Sequence, residues 1–375
     1  MSNLYIGLMS GTSLDGVDAA LVELKESQST ILEAHTQTIP KGLHDDILKL
    51  CTSSNSNEIE QMGQLDNRIA DLFSQSVKTL LDKSGKSHSD IIAIGSHGQT
   101  IRHEPEMEHP FTLQIGNPSL ISFRTKIDTV ADFRSADMSS GGQGAPLVPA
   151  FHNAVFSTRK HTRAVLNIGG IGNITVLPQD QNKPVIGFDT GPGNILLNAW
   201  IDARQGKPFD NEGAWAASTK PDQKLLEALL KEAFFQRSPP KSTGRELFNL
   251  EWLEKILIRH GTGLAPANIQ STLSELTAVS IAKAIKSYGQ NCKEVLICGG
   301  GIYNKDLIQR IETQLPNCSI HSTQEFGFNP DYVEAATFAW LAKQNIERKP
   351  ANLPSVTGAS QAMVLGAFYP SSPQD

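Results

Sequence analysis

The 375-residue chain reads as an α/β protein built from two similar domains. Three observations predict this. Short apolar strands recur in the same order in each half, they end in glycine-rich turns, and the stretches between them carry helical periodicity. The length suits two domains of common size better than one core.

In chain order, Leu4 to Met9 is a buried strand, and Val17 to Leu24 is its partner across the turn Ser10 to Gly16. Thr30 to Ile39 is the next strand. Ile59, Met62, Leu65, Ile69, Leu72, Phe73, Val77 and Leu80 fall at helical spacing, and the apolar strand Ile91 to Gly95 follows. The order then returns. Ala164 to Ile168, the turn Gly169 to Gly172 and the strand Asn173 to Leu177 make a second hairpin, followed by Val185 to Phe188. Helices around Leu225 to Phe234 and Leu273 to Ile285 lead to the strand Val295 to Cys298 and its turn Gly299-Gly300-Gly301. Thr272 and Glu275 have capping-box spacing and predict the start of the later helix. The repeat is one of order, not of identical residues.

Ser139 to Pro146 is the densest glycine-rich stretch and marks the joint between the halves, either as a linker or as a hinge or ligand-contacting loop. The domains are expected at 1–130, joined by a tail from about residue 350 to 375, and at 131–349. Val364 to Phe368 is too apolar for a free end and is expected to pack back on one domain.

A net charge of -6 with both signs interspersed, and no basic cluster, argues against nucleic acid and points to small-molecule partners. Cys51, Cys292, Cys298 and Cys318 form no CxxC pair, so neither a metal knuckle nor a disulfide framework is expected. Met1 to Met9 lacks the basic region of a signal peptide, and no segment reaches the ~20 apolar residues of a membrane span. A reducing cytoplasm is the expected compartment.

The turn Asp189-Thr190-Gly191-Pro192-Gly193-Asn194 lies between an apolar strand and a helix beginning at Ile195. Free amides at a helix start make an anion site, and Asp189 there is either a helix cap or a general base facing a nucleotide. Gly11, Thr12, Ser13, Leu14, Asp15 and Gly16 offer amides and hydroxyls suited to phosphate. The GxxxxGK[ST] pattern of a Walker loop is absent, and an ordinary hairpin turn is the alternative. Asp15 and Asp18 would sit near a phosphate-bound cation. Gly169, Gly170, Gly172 and Asn173 form a second cradle, and Gly299, Gly300, Gly301 and Asn304 a third turn, suited to an adenosine. His97 and Gln99 stand at a strand's carboxyl edge, where they suit a hydroxyl-rich substrate or simply a hydrogen-bonded turn. Arg134 is either a carboxylate clamp or an ion-pair partner of Asp132 or Asp137. The loop Lys241 to Glu246 is a candidate substrate-side lid. A regulator would carry a DNA-binding helical module and a chaperone a peptide-binding domain, and neither pattern is read here.

With these motifs in hand, the chain resembles the doubled ribonuclease H-like fold of sugar kinases, acetate kinase, actin and the heat-shock chaperone ATPases. More closely it resembles the anhydro-N-acetylmuramic acid kinases. The resemblance is carried by Gly7 to Asp18, Gly95 to Thr100, Asp132 to Arg134, Gly141 to Pro146, Asn167 to Asn173, Phe188 to Asn194 and Gly299 to Gly301. It implies two domains with the active site in the cleft between them. It also implies an ATP- and Mg²⁺-dependent kinase of bacterial cell-wall recycling, cytoplasmic and homodimeric. On that likeness Gly11 to Asp18, including Val17, would bind ATP together with Asn167, and Asp15 and Asp18 would serve the metal. Asp189 would activate water, and His97, Gln99, Arg134, Gln143 and Thr190 would meet the sugar. A kinase of another sugar or small acid on the same fold is the competing enzyme reading.

Overall fold

A computed structural model describes residues 3–11, 14–25, 29–52 and 57–371. The chain divides into two compact units, Met1–Phe151 with Gly327–Asp375, and His152–Phe326.

The first unit holds a mixed sheet. Its strands are β1 (Leu4–Ser10), β2 (Gly16–Leu24), β3 (Ser29–Thr38), β4 (Ile91–Glu104), β5 (Phe111–Ile115), β6 (Thr129–Ala131) and, from the other unit's far side in sequence, Ala367–Tyr369. The order runs Ala367–Tyr369, β6, β4, β1, β2, β3, with β5 paired to β4. β1 to β2 and β2 to β3 are antiparallel, whereas β1 to β4 and β4 to β6 are parallel.

The second unit holds β7 (Thr162–Ile168), β8 (Ile171–Leu177), β9 (Ile186–Pro192), β10 (Cys292–Cys298) and β11 (Ser319–Ser322), in the order β11, β10, β7, β8, β9. Here too the first three strands are antiparallel neighbours and the last two are added in parallel. β3-β2-β1-β4-β6 and β9-β8-β7-β10-β11 are therefore one topology used twice, the doubled ribonuclease H-like arrangement. The strand Ala367–Tyr369, β12, closes the first sheet's edge against β6, so the apolar tail does pack back.

In the first unit, Ile6 and Leu8 of β1 share a buried cluster with Leu65, Ile69 and Phe73 of the helix Glu58–Ser84. Strand side chains alternate between faces, so Gly7 looks the other way. There the helix Val333–Ile346 lies against β1, β2 and β4. A Cβ on Gly7 would stand 1.8 Å from the Ala335 carbonyl oxygen, and one on Gly95 would stand 1.9 Å from that of Phe338. The two strand glycines let a helix backbone approach the sheet where no side chain fits between.

That contact moves the domain boundaries. The helix Val333–Ile346 belongs to the first unit, and the units meet in sequence at 151/152 and 326/327 rather than at 130/131 and 349/350. Ser139 to Pro146 likewise lies inside the first unit and is no joint. The buried Asp137 carboxylate accepts the Gly144 amide at 2.8 Å, Asn352 Nδ2 at 2.6 Å and the Thr357 hydroxyl at 2.7 Å, tying that stretch to the C-terminal segment.

The capping box at Thr272 is not formed. The helix starts at Pro266, and Thr272 lies within it, bonding back to the Asn268 carbonyl at 2.7 Å while Glu275 pairs with Arg310. A proline at the first helical turn was the stronger start signal. Among the described residues no helix is long and apolar enough to cross a membrane.

Gly7→Ala should lower unfolding stability by about 2–4 kcal/mol, because the carbonyl it meets is backbone and cannot swing away. Gly42→Ala, at an exposed helix position with nothing within 4 Å, should instead add about 0.5 kcal/mol. Denaturant titrations of the two variants check the pair, and equal losses would overturn the close-approach account.

Candidate active site

In the second sheet the register sets Asn167 opposite Asn173, and Asn173 opposite Asp189. Directly paired residues share a face, so two amides and a carboxylate form one row across β7, β8 and β9. Asp189 is half-buried at the edge strand. Its backbone amide donates to the Lys241 carbonyl at 3.1 Å, and its Oδ2 accepts the Thr243 amide at 2.9 Å. The segment Lys241–Thr243 thus runs along the open edge of β9 and grips Asp189 by main chain and carboxylate together.

Asp189 caps no helix. The expected turn is strand through Pro192, and the helix Ile195–Gln205 follows Asn194 without a side-chain cap bond. Burial lifts the Asp189 pKa to about 6, opposed by the Thr243 N–H and assisted by the charge of Glu246. A carboxyl poised there can exchange a proton near neutral pH.

The helix start next to it is not an open anion site. Gly193 and Ile195 donate their amides to the Gly170 carbonyl at 2.9 and 3.0 Å, and Asn194 donates to the Gly169 carbonyl at 2.9 Å. The hairpin turn of β7 and β8 therefore consumes the donors that sequence reading had assigned to an anion. The turn itself stays open on its other side, since a Cβ at Gly169 or Gly170 would meet nothing nearer than 3.7 Å. Thr190 is buried and bonds the Gly172 carbonyl at 3.0 Å, which places it inside the sheet packing.

The third turn, Gly299 to Gly301, ends β10. Asn304 caps the helix Lys305–Gln314 by accepting the Leu307 amide at 3.0 Å. Beside it opens a cavity of about 570 Å³ lined in part by Asn194, Leu197, Phe209, Gly300, Ile302 and Tyr303. Phe209 and Tyr303 are 57% and 55% exposed, which is unusual for aromatic side chains and leaves two rings for a planar base. Gly300 has open space where a side chain would stand. Size, aromatic lining and the open space at Gly300 fit a nucleotide.

In the first unit, Thr12 and Ser13 lie outside the described residues. Leu14 and Val17 bury their side chains in the core, so only their backbone faces the turn Gly11 to Gly16. Asp18 pairs in register with Thr36, whose hydroxyl donates to Asp18 Oδ1 at 2.7 Å. Burial raises the Asp18 pKa, against the Thr36 bond and with Asp331 and Asp15 adding to the rise. Asp15 is exposed. Among the described residues no three His, Cys, Asp or Glu side chains gather as a metal site.

His97 and Gln99 lie inside β4, which continues well past Gly95, and both are buried. Gln99 Oε1 accepts the Ser10 hydroxyl at 2.6 Å and its amide nitrogen donates to the Gly11 carbonyl at 3.4 Å, so it braces the first hairpin turn. His97 Nε2 accepts from Arg134 Nε at 3.1 Å and Nη2 at 2.9 Å, while Arg134 Nη1 donates to the Gly144 carbonyl at 2.8 Å. Both alternatives for Arg134 miss this: its fork is held by an imidazole. A guanidinium only donates, so this imidazole nitrogen is bare. Burial, then the Arg134 charge, hold the His97 pKa well below the ordinary value. Burial also brings Arg134 down to about 10. Gln143 is exposed, and its backbone N–H donates to the Thr357 carbonyl at 2.9 Å.

Sequence reasoning missed Thr243, whose contribution is a main-chain amide and carries no side-chain signature. Its loop, Lys241 to Glu246, reads in the sequence as a candidate substrate-side lid, with nothing to single out one amide. Phe209 and Tyr303 were missed as well, because exposure of an aromatic is not written in local pattern.

The sheet order used twice, with glycine turns at corresponding strand ends, defines the sugar-kinase and actin-like ATPase fold class. Residues 3–371 match the family model described as anhydro-N-acetylmuramic acid kinase. The chain belongs to that family. Its relatives include the anhydro-N-acetylmuramic acid kinase of Shewanella pealeana, 50% identical over 98% of this chain and 99% of that protein. The protein of the same name from Coxiella burnetii is 49% identical over 97% of each. A remote likeness among solved structures is the activator of the 2-hydroxyisocaproyl-CoA dehydratase from Clostridium difficile with bound ADPNP. It shows 14% identity and a TM-score of 0.47 over 92% of this chain and 96% of that one.

Folding raises the Asp189 pKa from 3.8 to about 6, so the fold favours the protonated carboxyl. That stabilisation is complete below the unfolded value and is lost as pH rises through about 6. Asp189→Asn should therefore be more stable than the parent protein by about 1–2 kcal/mol near pH 8, with the gap closing toward pH 4. Thermal unfolding across that range checks the sign, and an Asn variant less stable at high pH would contradict it.

Proposed function

We propose that the chain acts on 1,6-anhydro-N-acetylmuramic acid, opening the anhydro bridge with water and phosphorylating O6 to give N-acetylmuramic acid 6-phosphate and ADP, in peptidoglycan recycling. The observation that carries this reading is Asp189, a carboxyl with its pKa lifted to about 6 and clamped by the Lys241–Thr243 segment. Family membership supplies the substrate.

In this reading Asp189 takes a proton from water as the water attacks the anomeric carbon. The C1–O6 bond breaks, its electron pair stays on O6, and O6 takes the phosphoryl group. When bound, ATP supplies that group and Mg²⁺ neutralises its charge. The turn Gly11 to Asp18 and the turn Gly169 to Gly172, with Asn167 and Asn173, would hold the phosphates. Gly299 to Gly301 and Asn304, with the Phe209 and Tyr303 rings, would hold the adenosine. Asp15 and Asp18 would serve the ion, which needs only one or two carboxylates when phosphates complete its shell.

Arg134 and Gln143 would meet the sugar, Arg134 at its lactyl carboxylate. His97 then orients the guanidinium rather than titrating, while Gln99 and Thr190 hold the turns in place. A homodimer in the bacterial cytoplasm is the setting that the family likeness suggests.

Asp189→Asn should lose roughly 10²- to 10⁴-fold in kcat while binding nucleotide as before, measured by turnover and by equilibrium titration. For the unaltered enzyme, kcat should fall as pH drops below about 6, where the base is protonated. The product should be heavier than the anhydro sugar by one phosphate and one water, about 98 Da by mass spectrometry. A gain of phosphate alone would refute the ring opening.

Phe209→Ala should raise the KM for ATP roughly tenfold with kcat largely kept, because a lost stacking surface weakens ground and transition states alike. An unchanged KM would exclude the cavity at Gly300 as the base pocket.

A further inference from the structure

On the other side of the Asp189 clamp, the second unit contains a cavity of about 190 Å³ that the proposed reaction does not use. Phe188 and Thr190, the neighbours of Asp189 on β9, form part of its wall, and Arg237, Lys241 and Lys283 bring three cations to it. Ser238, Ser280 and Tyr288 add hydroxyls. The space is enough for a few waters or one small oxyanion.

Arg237 and Lys283 are exposed, and the Asp189 carboxylate offsets only part of the charge at Lys241. Among the described residues none of the three makes an ion pair with a carboxylate. Lys241 Nζ donates to the Phe234 carbonyl at 3.2 Å and sits 4.5 Å from the centre of that ring. Burial, followed by the nearby Lys283 charge, lowers the Lys241 pKa against the pull of the Asp189 carboxylate, and Arg237 adds to the fall. Three like charges converging on a concave, hydroxyl-lined space are stabilised by an anion that pairs with all of them.

Lys241 also links this cavity to the base. Its carbonyl accepts the Asp189 amide, and two residues on, the Thr243 amide holds the Asp189 carboxylate. We propose that the cavity is a second anion site, taking inorganic phosphate or a small phosphate monoester, whose occupancy is felt at Asp189 through the Lys241–Thr243 segment. The link, though not the binding, rests on the reading of Asp189 as the base. An anion drawing on Lys241 Nζ would pull on the same segment that sets the direction and basicity of that carboxylate.

The test is calorimetric titration of the full chain, held saturated with a non-hydrolysable ATP analogue so that the nucleotide's phosphate cradles are filled. Inorganic phosphate and glycerol 3-phosphate are the two probes. Both should bind the parent protein, and the double variant Arg237→Gln, Lys283→Gln should bind at least about tenfold more weakly, as expected when two charge-assisted contacts are removed. Tighter binding of glycerol 3-phosphate assigns the site to a monoester, and equal or tighter binding of phosphate assigns it to the free anion. Silence from both probes, or equal affinity in the double variant, overturns the site.

Turnover gives the second readout. The kcat of the parent protein should respond to the tighter-binding probe, and that of the double variant should not; an unresponsive parent overturns the link to Asp189. Asp189→Asn, which removes a negative charge acting on Lys241, should bind both probes at least as tightly as the parent. Should that variant keep its turnover, the base assignment fails while the calorimetry still decides the anion site.

Discussion

The first unit depends on the backbone of one helix lying directly on the sheet at two glycines. Gly7 of β1 and Gly95 of β4 leave no side chain under Ala335 and Phe338. The helix Val333–Ile346 can then sit close enough to bury its small face of alanines. Everything on those two strands downstream of the glycines inherits its position from that contact. Ser10, Gln99 and His97 follow within a few residues, and Phe338 itself packs on the His97 ring at 4.7 Å between centroids. The first hairpin turn and the histidine that holds Arg134 are thus indexed to the same helix.

Much of this was legible in the sequence. The strands at Leu4, Val17, Ala164 and Val295, the helix from Ile59 to Leu80 and the repeat of order all follow from periodicity and glycine punctuation, which are local. The positions of Asp189, Arg134 and the glycine turns were likewise visible as motifs. What was not visible is non-local. The domain boundary turned on a helix that returns from beyond residue 327 to cover β1, and no pattern within that helix says which sheet it will meet. Thr243 contacts Asp189 from 54 residues away through an amide that every residue but proline possesses. The same reasoning explains the helix start at Ile195, where the apparent anion site was filled by the carbonyls of Gly169 and Gly170.

The two units show two ways of using burial. At His97 it suppresses charge, and the neutral ring becomes a fixed acceptor that orients a guanidinium. At Asp189 it works the other way on an acid, lifting the proton affinity toward neutrality while the Thr243 amide and the Lys241 charge limit the rise. The pseudo-equivalent position on the first sheet shows how the repeat has diverged. Thr36 stands beside Asp18 as Asp189 stands beside Asn173, so hydroxyl-to-carboxylate pairing in one half corresponds to amide-to-carboxylate pairing in the other. One scaffold thereby offers an acidic residue on its middle strand in one copy and on its edge strand in the other.

The edge position of Asp189 has a consequence for solubility. An uncovered terminal strand presents unpaired main-chain groups that recruit strands from other molecules. In β9 the Lys241–Thr243 segment occupies that edge at Asp189, where the donor would otherwise be free. The chain that holds the carboxylate is therefore also a guard against intermolecular strand addition. Variation in this loop is constrained twice, once by chemistry and once by the need to keep neighbouring molecules from zipping onto the sheet.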